Sequence, residues 1–149
     1  MMNISTDTLV VEITYYGDQE ALFEDYKGGH DMTRILIVDD AAFMRMRCSK
    51  LLGEKGYEVV EAANGAEALE KYKESKPDAV LLDITMPKMD GIITLQEIIK
   101  IDPHARVAMV TAMGQRTMVM SALKAGARDF VVKPFDGPRV LDTVQKLLG

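Results

Sequence analysis

Five short apolar runs recur along the chain from residue 35 onward, at 35–38, 57–60, 79–82, 107–110 and 130–132. They are rich in Val, Ile and Leu with little polar alternation, the pattern of parallel strands buried on both faces. Between them the apolar residues take up helical spacing. A first helix is predicted to start at Asp40 as N-cap, to bury Phe43, Met44, Cys48 and Leu51, and to end at Gly56. A second runs from about Asn64 with Ala68, Leu69 and Tyr72 inward and stops before Pro77. A third starts near Asp90 and turns Ile92, Leu95, Ile98 and Ile99 inward ahead of Pro103. A fourth covers about 114–125, and a fifth follows Pro138 with Val140, Leu141, Val144 and Leu147 inward. Strict alternation of strand and helix, five times over, predicts an α/β doubly wound fold with helices on both faces of a parallel sheet.

Charge divides the chain in two. Residues 1–33 hold seven acidic side chains against Lys27 alone, a net −6, while the remainder has 17 basic and 16 acidic residues. The net charge of −5 argues against a nucleic-acid-binding surface, and the acidity lies almost wholly in the leader. No apolar run approaches the ~20 residues needed to cross a bilayer. No basic segment precedes an apolar stretch at the start, and the single cysteine, Cys48, suits a reducing compartment. A cytoplasmic protein with no membrane or nucleic-acid partner is expected.

In an open α/β sheet, ligands bind where the strands end at their carboxyl side. The residues that follow each apolar run are therefore the candidates for chemistry. Asp39 and Asp40 follow the first, Asp83 the third, Thr111 the fourth and Lys133 the fifth. The second ends in Glu61, Ala62 and Ala63, with no comparable set. Three carboxylates within a few ångströms need a cation to stay ionised. An all-oxygen set without imidazole or thiolate suits a hard ion, and Mg²⁺ favours one or two carboxylates, water and a phosphate. Thr111 can donate to a phosphoryl oxygen and Lys133 can neutralise its charge. Phosphoryl transfer asks for this combination of positioning and charge neutralisation.

The segments 34–40 (RILIVDD), 82–91 (LDITMPKMDG), 110–112 (VTA) and 130–135 (FVVKPF) resemble the marks of the response-regulator receiver family. The chain is especially similar to chemotaxis response regulators of the CheY type, also at 39–47 (DDAAFMRMR) and 111–115 (TAMGQ). The resemblance covers about 34–149 and implies a flavodoxin-like (βα)5 receiver fold with strand order 2-1-3-4-5. It implies Asp83 as phosphoacceptor, Asp39 and Asp40 as the acidic pair that organises Mg²⁺, and the backbone carbonyl of Thr85 as a further ligand. It implies that Thr111 and Lys133 contact the phosphoryl group, that Thr111 and Phe130 form the switch, and that Lys133–Pro134 is cis. Phe130 departs from the tyrosine often found there and lacks its hydroxyl. The implied function is a single-domain regulator phosphorylated by a sensor histidine kinase, with its own autophosphorylation and autodephosphorylation but no classical enzymatic turnover. Its expected partners are a flagellar motor switch protein and a phosphatase. The competing reading is a phosphorelay intermediate that passes the group to a histidine phosphotransfer protein.

Blander roles are also expected. Asp90 caps the third helix, Cys48 is a packed thiol, and Met44, Met109 and Met120 fill the core. Met86, Met89 and Met113 fall on loops around the site, where they would shape access to Asp83; Met113 is apolar and cannot position a water, which predicts a long-lived phosphoryl state. A haloacid-dehalogenase-like phosphatase would need an aspartate where Thr85 stands, and a flavodoxin would need a Ser/Thr/Gly loop where 39–42 reads DDAA. In the leader, a strand at 9–16 and a helix at 18–26 are predicted, either as an arm that meets a partner or as a start-site artefact. The second is preferred, because 27–32 (KGGHDM) back-translates to a ribosome-binding sequence ahead of a start codon at Met32.

Overall fold

The computed structural model describes residues 32–86, 90–112 and 116–149. The leader's predicted strand and helix, Pro87, Met89, Met113 and residues 114–115 at the predicted start of the fourth helix lie outside them. The described elements alternate as β1 (Arg34–Val38), α1 (Ala42–Glu54), β2 (Glu58–Ala62), α2 (Gly65–Ser75), β3 (Ala79–Asp83), α3 (Gly91–Ile101), β4 (Val107–Ala112), α4 (Arg116–Ala125), β5 (Asp129–Lys133) and α5 (Gly137–Leu148). All strand pairs are parallel, in the order β2-β1-β3-β4-β5, as expected. Strand order reverses beside β1, so a crevice opens between the carboxyl ends of β1 and β3.

Side chains alternate across each strand, and the sequence exploits both faces. Leu36, Val38, Val80, Leu82, Val107 and Met109 face one way, against Ala68, Tyr72, Leu95, Ile98, Val119 and Ala122 of α2, α3 and α4. Ile35, Ile37, Ala79, Leu81, Ala108 and Val110 face the other, against Cys48 and Leu52 of α1 and Val140, Val144 and Leu147 of α5. Burying a side chain of this size stabilises the fold by about 1.5–3 kcal/mol. Two apolar layers thus clamp the sheet and hold its strand ends in fixed register.

Three helix starts are capped by side chains, two of them, at Asn64 and Asp90, as expected. Asn64 accepts from the Glu67 amide, Asp90 from the Ile93 amide and Asp136 from the Arg139 amide, each at 2.9 Å. The first helix departs from expectation. Its N-cap is Ala41, not Asp40, and no side chain caps it. Asp39 accepts the Ala41 amide at 2.8 Å, so the turn after β1 takes one more residue before the helix begins.

The predicted inward face of α1 also needs correction. Phe43 is 63% exposed, while Cys48 and Leu52 are buried and Met44 and Leu51 partly so. Nine residues separate Phe43 from Leu52, which at 3.6 per turn places them on opposite sides. Met120, expected in the core, is 51% exposed because Val119 and Ala122 take the inward face of α4. Met109 is fully buried as expected, and Met86 joins the apolar core rather than lining an approach to Asp83. Among the described residues, no helix is long and apolar enough to cross a membrane.

Candidate functional site

Register brings the candidate residues level with one another. Val38 lies beside Leu82 and Asp83 beside Val110, so Asp39 at the end of β1 and Asp83 at the end of β3 stand at the same height. Thr111 pairs with Val132 and Ala112 with Lys133, which puts the last two polar candidates at that height too. Asp39, Asp83 and Thr111 are buried, whereas Asp40 and Thr85 are exposed. One carboxylate oxygen from each of Asp39, Asp40 and Asp83 lies within 4.8 Å of the others, a cluster that could hold a metal ion.

Lys133 closes the cluster from the far side of the sheet. Its Nζ sits 3.2 Å from Asp39 Oδ2 and 3.6 Å from Asp83 Oδ2. The Lys133–Pro134 bond that follows is cis, as expected. Three carboxylates against one ammonium leave two negative charges uncompensated, the deficit a divalent cation fills. The donors are all oxygen, which fits a hard ion.

Burial, above all, pushes the Asp83 carboxyl up to about 6, and the charges of Asp39 and Asp40 act in the same direction. The Lys133 charge and the Thr85 amide, which donates to Asp83 Oδ1 at 3.4 Å, oppose them. For Lys133, burial works against the charged form, but the carboxylates of Asp83 and Asp39 outweigh it and raise its affinity for the proton. The lysine is therefore a firmly held cation beside a carboxyl group that burial makes more basic than usual.

Thr111 and Phe130 sit differently. Thr111 is one residue beyond the Asp83–Val110 pair, and its hydroxyl donates to the Ala112 carbonyl at 3.2 Å. Phe130 pairs with Met109 near the start of β5 and packs, half-buried, against the apolar layer of α2, α3 and α4. It is three residues from Lys133 along the same strand, so it reports on the sheet face rather than on the acidic cluster.

The sequence of the matched segments is that of a known family. The model of the response regulator receiver domain matches residues 35–145. This chain belongs to that family. Among its relatives is the chemotaxis protein CheY of Bacillus subtilis (strain 168), 60% identical over 117 residues, which are 78% of this chain and 98% of that protein. The chemotaxis protein CheY of Thermotoga maritima is 57% identical over 115 residues, 76% of this chain and 96% of that one. A chain in the crystal structure of a CheX–CheY–BeF3–Mg²⁺ complex from Borrelia burgdorferi superposes with a TM-score of 0.75 at 40% identity, covering 82% of this chain and 92% of that one. The flavodoxin-like receiver fold expected from the sequence is the fold observed.

Three features of this receiver domain escaped the strand-end survey. The Arg45 guanidinium donates to the Asp39 carbonyl at 2.8 Å and pairs with Glu61 at 3.3 Å. Glu61 lies at the end of the one strand that seemed to supply nothing. Gly91 reads as ordinary turn chemistry, yet a Cβ there would fall 2.1 Å from the Asp83 carbonyl oxygen. Its amide donates to the Ile84 carbonyl at 2.8 Å, so α3 starts flush against the phosphoacceptor candidate. Only the glycine signal was legible beforehand, as a residue that permits close backbone approach.

Proposed function

We propose that this chain is a chemotaxis response regulator that takes a phosphoryl group onto Asp83 from a sensor histidine kinase. The observation that carries the reading is the meeting of Asp39, Asp40, Asp83 and Lys133 at one crevice in a member of the receiver family. Asp39, Asp40, Asp83 and the Thr85 carbonyl would hold Mg²⁺, which when bound supplies charge neutralisation for phosphoryl transfer. The Asp83 carboxylate attacks phosphorus, the bond from phosphorus to the donor's imidazole nitrogen breaks, and the imidazole leaves with the bonding electrons. Lys133 sits where it can neutralise a phosphoryl oxygen, and Thr111 stands one step along β4, where its hydroxyl would turn from the Ala112 carbonyl to donate to the phosphoryl group.

The phosphoryl group then favours a state in which Thr111 and Phe130 have moved inward and the face made by α4, β5 and α5 is altered. That face would bind a flagellar motor switch protein, and a phosphatase would return the protein to rest, in keeping with the CheX-bound relative. The domain signals rather than turns over a substrate, and its autophosphorylation and autodephosphorylation are part of this proposal. High identity with chemotaxis proteins over nearly their whole length favours this output over the phosphorelay reading. The location consistent with such relatives is the cytoplasm. For the leader, the proposal is a start at Met32; intact mass of the protein from its own source tests it, and a chain carrying residues 1–31 overturns it.

Binding of a labelled flagellar switch peptide to the full chain, with and without Mg²⁺ and beryllofluoride, tests the main reading. Tight binding only in the activated state is expected. Activated protein that ignores the peptide overturns the motor output and puts the phosphorelay reading in its place. Asp83→Asn is expected to abolish switching with the fold intact, and phosphoryl uptake at that position in the variant refutes the acceptor assignment.

A further inference from the structure

Every polar group of Asp39 is spoken for. Its amide donates to the Ala62 carbonyl at 3.1 Å, Oδ1 accepts the Ala41 amide at 2.8 Å, and Oδ2 accepts from Lys133 at 3.2 Å. Its carbonyl accepts from Arg45 Nη1 at 2.8 Å. Arg45 is itself held: its Nε pairs with Glu61 Oε1 at 3.3 Å, and Glu61 Oε2 accepts the Ser49 hydroxyl at 2.9 Å. The guanidinium is mostly covered, with 19% of the side chain exposed. The second strand end, which gives no ligand to the acidic cluster, thus anchors the arginine that grips the turn bearing two of its carboxylates.

We infer that Arg45, oriented by Glu61, is a positioning residue for the metal site formed by Asp39, Asp40 and Asp83. The peptide from Asp39 to Asp40 is planar, so holding the Asp39 carbonyl fixes the plane from which Asp40 departs. Asp40 is exposed, and its aim toward Asp39 and Asp83 depends on the backbone that carries it. The first turn of α1 has no side-chain cap, so the entry to this helix is held through the Asp39 carbonyl and not, as at α2, α3 and α5, through the helix amides. A surface ion pair by itself would contribute at most about 1 kcal/mol to folding and nothing to metal binding. Two physical effects of losing Arg45 have opposite signs. Removing a cation a few ångströms from a metal site strengthens binding of another cation, whereas releasing the ligand-bearing turn weakens it. The geometry favours the second, because Arg45 already shares its charge with Glu61.

This inference rests on the metal reading above, and the test separates the two. Mg²⁺ is titrated into the full chain by calorimetry, without any phosphoryl donor, and thermal unfolding is followed alongside. Partners that orient metal ligands typically change affinity ten- to hundredfold when lost. Arg45→Ala is expected to weaken Mg²⁺ binding about tenfold, at the lower end because Arg45 holds backbone rather than a ligand atom. Arg45→Gln, which keeps a donor but loses the charge, is expected to weaken it less than Arg45→Ala does. It also carries the test should Arg45→Ala fail to fold. Folded variants that bind Mg²⁺ as tightly as the parent, or more tightly, overturn the positioning role. A parent chain that takes up no Mg²⁺ overturns the metal reading itself.

Discussion

Helices α1 and α5 lie on the same face of the sheet and share one apolar layer, yet they are built on different terms. The fifth helix is capped by Asp136, carries proline in its first turn, and buries Val140, Val144 and Leu147 along a single stripe. The first has no side-chain cap, buries only Cys48 and Leu52, and leaves Phe43 and Met46 in solvent. Its first turn serves the crevice instead. Ala41 gives its amide to Asp39, and Arg45 grips the Asp39 carbonyl. A helix whose first turn holds the site's ligand-bearing turn gives up local regularity to the geometry of the site, while one whose first turn is not so engaged can keep its local preferences.

The comparison can be broken most sharply at the base of α1. Leu52→Ala is expected to cost about 2–5 kcal/mol, since a fully buried leucine leaves a cavity the neighbouring strands cannot close. Urea unfolding measures it, and a loss under about 1 kcal/mol would mean that α1 scarcely contributes to the shared layer.

The next largest effect lies in the crevice itself. In the metal-free protein, the raised folded-state value of Asp83 means that the stability tied to its proton is fully present below about pH 4. That stability is lost as pH rises through about 6. A shift of about two units corresponds to roughly 3 kcal/mol, so Asp83→Asn is expected to stabilise the protein at pH 7 by roughly 1–3 kcal/mol. The gain should vanish near pH 4. Urea melts at the two pH values check the sign, and a variant less stable than the parent at pH 7 contradicts it.

Smaller effects probe the two helix starts. Asp136→Ala removes the only side-chain cap of α5 and should cost about 1 kcal/mol. Ala41 already has the extended backbone of an N-cap, φ −89° and ψ 111°, so Ala41→Ser is expected to stabilise by about 0.5 kcal/mol. If serine destabilises instead, the uncapped start is itself a requirement of the turn. Least of all, Phe43→Ala should change stability by no more than about 0.5 kcal/mol, because the ring is exposed, with the Arg47 guanidinium 5.9 Å over its centre. A cost above 2 kcal/mol would restore Phe43 to the core.

The alternation of apolar strand and amphipathic helix was enough to read off five of each, and the uninterrupted apolar runs pointed to a parallel sheet covered on both faces. Asn64 and Asp90 announced their helices because a cap acts over three residues and needs no distant partner. The strand-end positions picked out Asp39, Asp40, Asp83, Thr111 and Lys133, family resemblance supplied the strand order and their roles, and register then set Asp39, Asp83, Thr111 and Lys133 level. Other features depend on groups far apart in sequence. Phe43 was misplaced because apolar residues lie on more than one side of α1, and packing against the sheet chose the side of Cys48 and Leu52, opposite Phe43. The reach of Lys133 across 94 positions to Asp39, the grip of Arg45 and Glu61 on the turn, and the absence of room for a Cβ at Gly91 exist only once strands are packed. Local periodicity determines which residues share a face of an element, since it follows from the geometry of helix and strand, while packing decides which face turns inward. Contacts at the strand ends are decided by the assembled sheet, where burial and close charges set what each side chain can do.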